Sequence, residues 1–159
     1  MGGITPDALF KYLKELINTE RVQALLHTIK RHKIFKPIFK IVPTCGARWG
    51  GMCYGANTIE VSSWILKDAS VAKGVVRHEL AHAIQDFLNI DGRSHGKEFI
   101  QMLKAISPRN WRKDRYWHST PAIQIARMKI HPKGGRKTIK PLTEYRTFRY
   151  AVTPITVGG

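Results

Sequence analysis

Cysteine is almost missing from this chain: Cys45 and Cys53 are the only two. Two thiols cannot build a disulfide framework, so the fold must rest on a packed core, and free, partly buried thiols are expected. Acidic residues are scarce too, 11 Asp and Glu against 27 Lys and Arg, for a formal net charge of +16. That imbalance favours a polyanionic partner, nucleic acid before others. No apolar run reaches the roughly 18 residues that a membrane span needs, so no membrane partner is expected. Residues 1–7 lead into a charged amphipathic stretch rather than an apolar one, so we expect an intracellular, reducing setting rather than secretion. Internal repeats and low-complexity tracts are absent.

What is present suffices for a core. Hydrophobic residues make up 43% of 159, enough for one domain of ordinary size. The charge is uneven: residues 1–106 hold 15 basic and 9 acidic side chains, residues 107–159 hold 12 and 2. We therefore expect a core over 1–106 and a basic, aromatic-containing extension over 107–159, of β character, packed on or next to it.

Thr5-Pro6-Asp7 opens a helix, with a capping hydroxyl, proline at the first turn and an acid beside it. Leu9, Leu13, Leu16 and Ile17, then Val22, Leu25, Leu26 and Ile29, keep a helical period, which Asn18-Thr19-Glu20 can split into two helices. His27 and His32 are five apart, a poor spacing for sharing a metal, and are read as structural or surface residues. Residues 36–42 suit a strand and 48–63 a hairpin, so a small three-stranded antiparallel sheet is expected. Residues 143–152 look like a strand, 133–137 like a loop or hairpin tip, and 122–130 like either a strand or a short helix. The fold class is α+β.

The informative stretch is Val75-Val76-Arg77-His78-Glu79-Leu80-Ala81-His82-Ala83-Ile84. On a helix, His78 and His82 share a face and can bind one metal ion. Val76, Leu80, Ala83, Ile84 and Phe87 back that face with apolar surface. Glu79 falls about 100° round from His78, placed for a base acting on metal-bound water rather than for a third ligand. A hydrolytic zinc site takes three protein ligands, and His95, after a turn at Asp91-Gly92, is the best placed third. Glu98 is the alternative ligand, and Asp86 suits a hydrogen bond to a histidine N–H. A metzincin arrangement is excluded by Gln85 and Leu88, which stand where that motif needs Gly and His. Ser94 can cap a second helix from His95 to about Ile106, buried through Phe99, Met102, Leu103 and Ile106.

Together with Gly50-Gly51-Met52-Cys53-Tyr54, Thr58-Ile59-Glu60-Val61-Ser62 and Ser94-His95-Gly96-Lys97-Glu98-Phe99, this stretch resembles the SprT-like zinc metalloprotease family, with a Spartan-like protease core. The likeness covers roughly residues 5–106. It implies one Zn2+ ion on His78, His82 and His95, with Glu79 as catalytic base. It also implies an endopeptidase acting on DNA-associated or DNA-crosslinked proteins, with single-stranded or junction-like DNA as partner and the chain working as a monomer. The cysteine-rich zinc ribbon that often follows this core has no counterpart in residues 107–159. The basic tail is there instead, with Arg109, Arg112, Lys113, Arg115, Trp117, Lys133, Arg136 and Lys137 as candidate nucleic-acid contacts. Two alternatives stand beside this reading: a zinc peptidase without nucleic-acid dependence, and a DNA-binding protein with a structural metal site.

Overall fold

A computed structural model describes residues 2–43, 51–54, 57–115 and 146–158. The chain opens with α1 (Pro6–Ile17), whose N-cap Thr5 accepts from the amide of Ala8 at 3.1 Å. Asn18 ends it, and Thr19 caps α2 (Glu20–Leu26) by accepting from Val22 N. The expected break therefore falls at Asn18-Thr19, and Leu9, Leu13, Leu16, Ile17, Val22 and Leu26 are all buried.

The strand expected over 36–42 is present, and a short strand that was not expected precedes it. β1 (Lys33–Phe35) and β2 (Ile38–Val42) are separated at Lys36-Pro37, where proline has no N–H to give a ladder. β3 (Gly51–Tyr54) and β4 (Thr58–Ser62) form the expected antiparallel hairpin. A 3-10 turn at Ser63–Lys67 buries Trp64 and Ile65 and leads into the long helix α3 (Ala69–Phe87), capped by the Asp68 carboxylate on the amides of Ser70 and Val71. Then come α4 (Lys97–Ile106), the short α5 (Trp111–Arg115), β5 (Phe148–Ala151) and β6 (Ile155–Val157). The cap of α4 is Gly96 rather than Ser94, so His95 lies in the turn before the helix.

The α+β class holds, but the expected three-stranded antiparallel sheet is corrected. The main sheet has four strands in the order β3-β4-β2-β5, and its β2–β4 pair is parallel. The chain runs one way in β2, back in β3 and forward in β4, so seating β4 beside β2 makes that pair parallel. The fourth strand, β5, joins the free edge of β2 in antiparallel register, and β6 pairs with β1 in a separate two-stranded sheet. Strand periodicity shows which residues face the core but not which strand lies alongside.

Phe39 and Ile41 of β2 and Ile59 and Val61 of β4 are side by side in register and fully buried. Phe10 of α1 stacks on Tyr150 of β5, ring centroids 4.5 Å apart, and lies near Phe39 at 6.2 Å. The same core takes in Val75, Val76, Leu80, Ala83, Ile84 and Phe87 of α3, so the sheet is a backing for that helix. Each of these side chains apart from Ala83 contributes about 1.5–3 kcal/mol by leaving water. The expectations for Cys45, the turn at Gly55, residues 122–130 and the loop at 133–137 lie outside the described residues.

Candidate metal centre

Nineteen residues of α3 set His78 and His82 one turn apart, and the apolar positions named above fasten the opposite face to the core. The third histidine arrives by a short return. Leu88 closes α3 and Asn89, at φ 56°, turns left-handed behind it, while the amides of Asn89 and Ile90 bond back to the carbonyls of Asp86 and Gln85. This is a Schellman ending, with asparagine in the place glycine usually takes. Six residues after Asn89, His95 is again left-handed, at φ 60°, and the Gly96 amide bonds back to Arg93 O. A non-glycine residue in that region carries strain, and histidine is among those that tolerate it best.

The three rings meet at their Nε2 atoms: His78 to His95 is 3.0 Å, His82 to His95 3.1 Å and His82 to His78 3.2 Å. Among the described residues they form a group able to hold one metal ion. Phe99, fully buried on α4, packs its ring against all three, with centroids at 5.0 Å from His78, 4.3 Å from His82 and 5.1 Å from His95. One aromatic side chain is thus a common floor for the cluster.

His78 shows which nitrogen is ready to ligate. Its Nδ1 lies 2.6 Å from the backbone carbonyl of Asp114, an oxygen that can only accept. The proton therefore sits on Nδ1, and in the neutral ring Nε2 presents its lone pair to the cluster. Burial, then the neighbouring His95, push the His82 pKa down to about 4, which keeps that ring neutral too. Glu79 is buried like the core around it, and its Oε2 has no hydrogen-bond partner among the described residues. Burial pushes its carboxyl pKa up to about 8. Three converging ring nitrogens suit a cation, and a cation near a buried carboxyl offsets the cost of ionising it.

The other candidates are distributed differently. Glu98 lies over the turn at Gly92, where an added Cβ would meet its Oε2 at 2.6 Å, and it is not part of the histidine group. Asp86 is exposed, and the partner of His78 is the Asp114 carbonyl instead. His27 and His32 are exposed. Of the proposed nucleic-acid contacts, Arg109, Arg112 and Lys113 are exposed, and the Arg112 guanidinium sits 4.7 Å from the centre of the Trp111 ring. Arg115 donates Nε–H to the carbonyl of His95 at 3.1 Å. Trp117, Lys133, Arg136 and Lys137 lie outside the described residues.

Asp114 is the contributor that sequence reasoning missed. Its carboxylate is fully buried, paired with Arg77 and accepting from Ser107 Oγ at 2.7 Å. The available signal was its isolation: Asp114 and Glu144 are the only acids in residues 107–159.

A long helix carrying two histidines, met by a third from the following turn, defines a metallopeptidase-like centre. The chain belongs to the SprT-like family, whose model matches residues 10–122. Comparison with curated proteins and with solved structures gave no match. Among the described residues no helix is long and apolar enough to cross a membrane.

Proposed function

We propose that this chain is a zinc-dependent endopeptidase acting on proteins bound or crosslinked to DNA, with Glu79 as its proton carrier. The observation that carries the reading is the convergence of three histidine Nε2 atoms within 3.2 Å of one another. His78, His82 and His95 would hold one ion, and neutral imidazole ligands suit zinc. Zinc held there supplies Lewis acidity, which activates water and polarises a peptide carbonyl. Glu79 takes the proton from the attacking water and returns it to the leaving amine. Its burial raises the carboxyl's hold on a proton, which helps it carry that proton between the two transfers. Phe99 keeps the rings from turning away.

The DNA link is supported by the net charge of +16 and by the exposed Arg109, Arg112 and Lys113. In this reading the chain works as a monomer inside the cell, with single-stranded or junction-like DNA presenting the protein to be cut. The test compares wild type with Glu79→Gln on a DNA-bound protein substrate. The variant should keep its fold and its zinc and lose cleavage by at least about 100-fold. Equal cleavage would sink the assignment of Glu79. DNA should accelerate wild-type cleavage, and its affinity should fall steeply with salt, as phosphate contacts require. Cleavage indifferent to DNA would leave a zinc peptidase without the nucleic-acid role.

A further inference from the structure

We propose that α5 clamps the metal centre, with Asp114 and Arg115 as positioning residues that hold His78 and His95 in the geometry that binds the ion. The inference rests on the metal-site reading above and extends it to a segment outside the histidine motif.

Two consecutive residues of α5 each reach a different ligand. Asp114 presents its backbone carbonyl to His78 Nδ1 at 2.6 Å, which fixes both the tautomer and the plane of that ring. Arg115 donates Nε–H to the carbonyl of His95 at 3.1 Å, bracing the one ligand whose backbone is left-handed. His95 has no helix of its own to fix it, since α4 begins at Lys97. A five-residue helix could not hold two ligands unless it were itself held, and the Asp114 carboxylate does this. It takes Arg77 Nε at 2.5 Å and Arg77 Nη2 at 3.0 Å in a two-pronged ion pair, and Ser107 Oγ at 2.7 Å. Arg77 also donates Nη1–H to Tyr12 OH at 2.9 Å, tying α1 into the same joint.

The joint is closed on both sides. Arg77 and His78 are neighbours on α3; the first grips the side chain of Asp114 and the second its main chain. Gly74, one turn earlier, makes room, because a Cβ there would stand 3.3 Å from Asp114 Oδ1. Bidentate arginine–carboxylate pairs fix orientation as well as distance, so α5 is set against α3 in a single pose. The pose, in turn, sets the ring of His78 and the turn of His95.

The experiment uses the full chain and reads metal binding, not cleavage. Zn2+ affinity is measured by competition with a chromogenic chelator, and the Co2+-loaded protein gives the ligand geometry by its visible absorption. Arg115→Met keeps the apolar stem and removes the donor. It should weaken Zn2+ binding about 10- to 100-fold and alter the Co2+ spectrum while the metal-free melting temperature stays put. Arg115→Lys, whose ammonium can reach the same carbonyl, should recover part of the loss. Asp114→Asn, tested in parallel, should weaken Zn2+ binding as well. Wild-type affinity with an unchanged Co2+ spectrum in Arg115→Met overturns the clamp. So does a fall in metal-free stability that accounts for the whole loss, which would make Arg115 a structural residue only. Wild-type protein that binds Zn2+ but cleaves nothing sinks the peptidase reading and leaves the clamp to stand on the variants; wild type that takes up neither ion sinks both.

Discussion

Glu79 and His82 give the metal-free protein opposite responses to pH. The folded-state pKa of Glu79 is raised from 4.5 to about 8, so between those values the folded chain holds a proton that the unfolded chain has released. Stability from that group falls as pH rises. The pKa of His82 is lowered from 6.5 to about 4, so its contribution is lost as pH falls through that window. The two oppose each other between pH 4.5 and 6.5, and from 6.5 to 8 the Glu79 contribution continues to fall. Urea midpoints in the presence of a chelator should therefore drop from pH 6.5 to pH 8, and Glu79→Gln should flatten the slope. Saturating Zn2+ should remove or reverse it, because a nearby cation favours the ionised carboxylate and binding releases protons. Phe99 offers a second residue-scale check. Phe99→Ala empties the floor beneath three rings and should cost about 3–5 kcal/mol in denaturant unfolding, with weaker Zn2+ binding besides. Zinc affinity unchanged from wild type would mean the rings are held without it.

At the scale of elements, what was legible in the sequence is what depends on near neighbours. Thr5 announces a helix start because a cap is a bond to an amide two or three residues on, and in the structure Thr5, Thr19 and Asp68 each make that bond. The pattern of α3 is readable for the same reason, and so is the timing of His95. Partnership between distant segments is not. Nothing local in 38–42 says that its neighbours are 58–62 on one side and 148–151 on the other. The Asp114 carbonyl was out of reach because a backbone oxygen leaves no mark on composition or spacing. Nor does the charge of Arg115 announce that its Nε–H goes to the carbonyl of His95. The caps also allow a clean separation of stability from site. Asp68→Ala should cost about 1 kcal/mol in thermal or urea unfolding and leave Zn2+ affinity unchanged, since its effect is confined to the first turn of α3. A loss of zinc binding would show that the helix moves as a rigid rod from its N-terminus.

Across the whole molecule, early and late parts of the chain are built into each other. β5 completes the sheet beside β2, β6 pairs with β1, and Val152 and Val157 are buried. Removing residues 146–159 should uncover the edge of β2 and the partner groups of β1, and the remaining chain should lose cooperative unfolding and near-ultraviolet circular dichroism. A truncated chain that melts like the full one would mean these strands are ornaments on a self-sufficient core. Lys33 meets Val157 in the register of β1 and β6, and Ile38 meets Ala151 in that of β2 and β5. Contacts across such separations form slowly, because the loop between them must be closed before they give anything back. On the ribosome, then, the histidine helix is made long before the strands that complete its backing sheet. A newly synthesised chain acquires its finished sheet only after residue 151 has emerged, so the histidine helix waits for its full backing until β5 has been made.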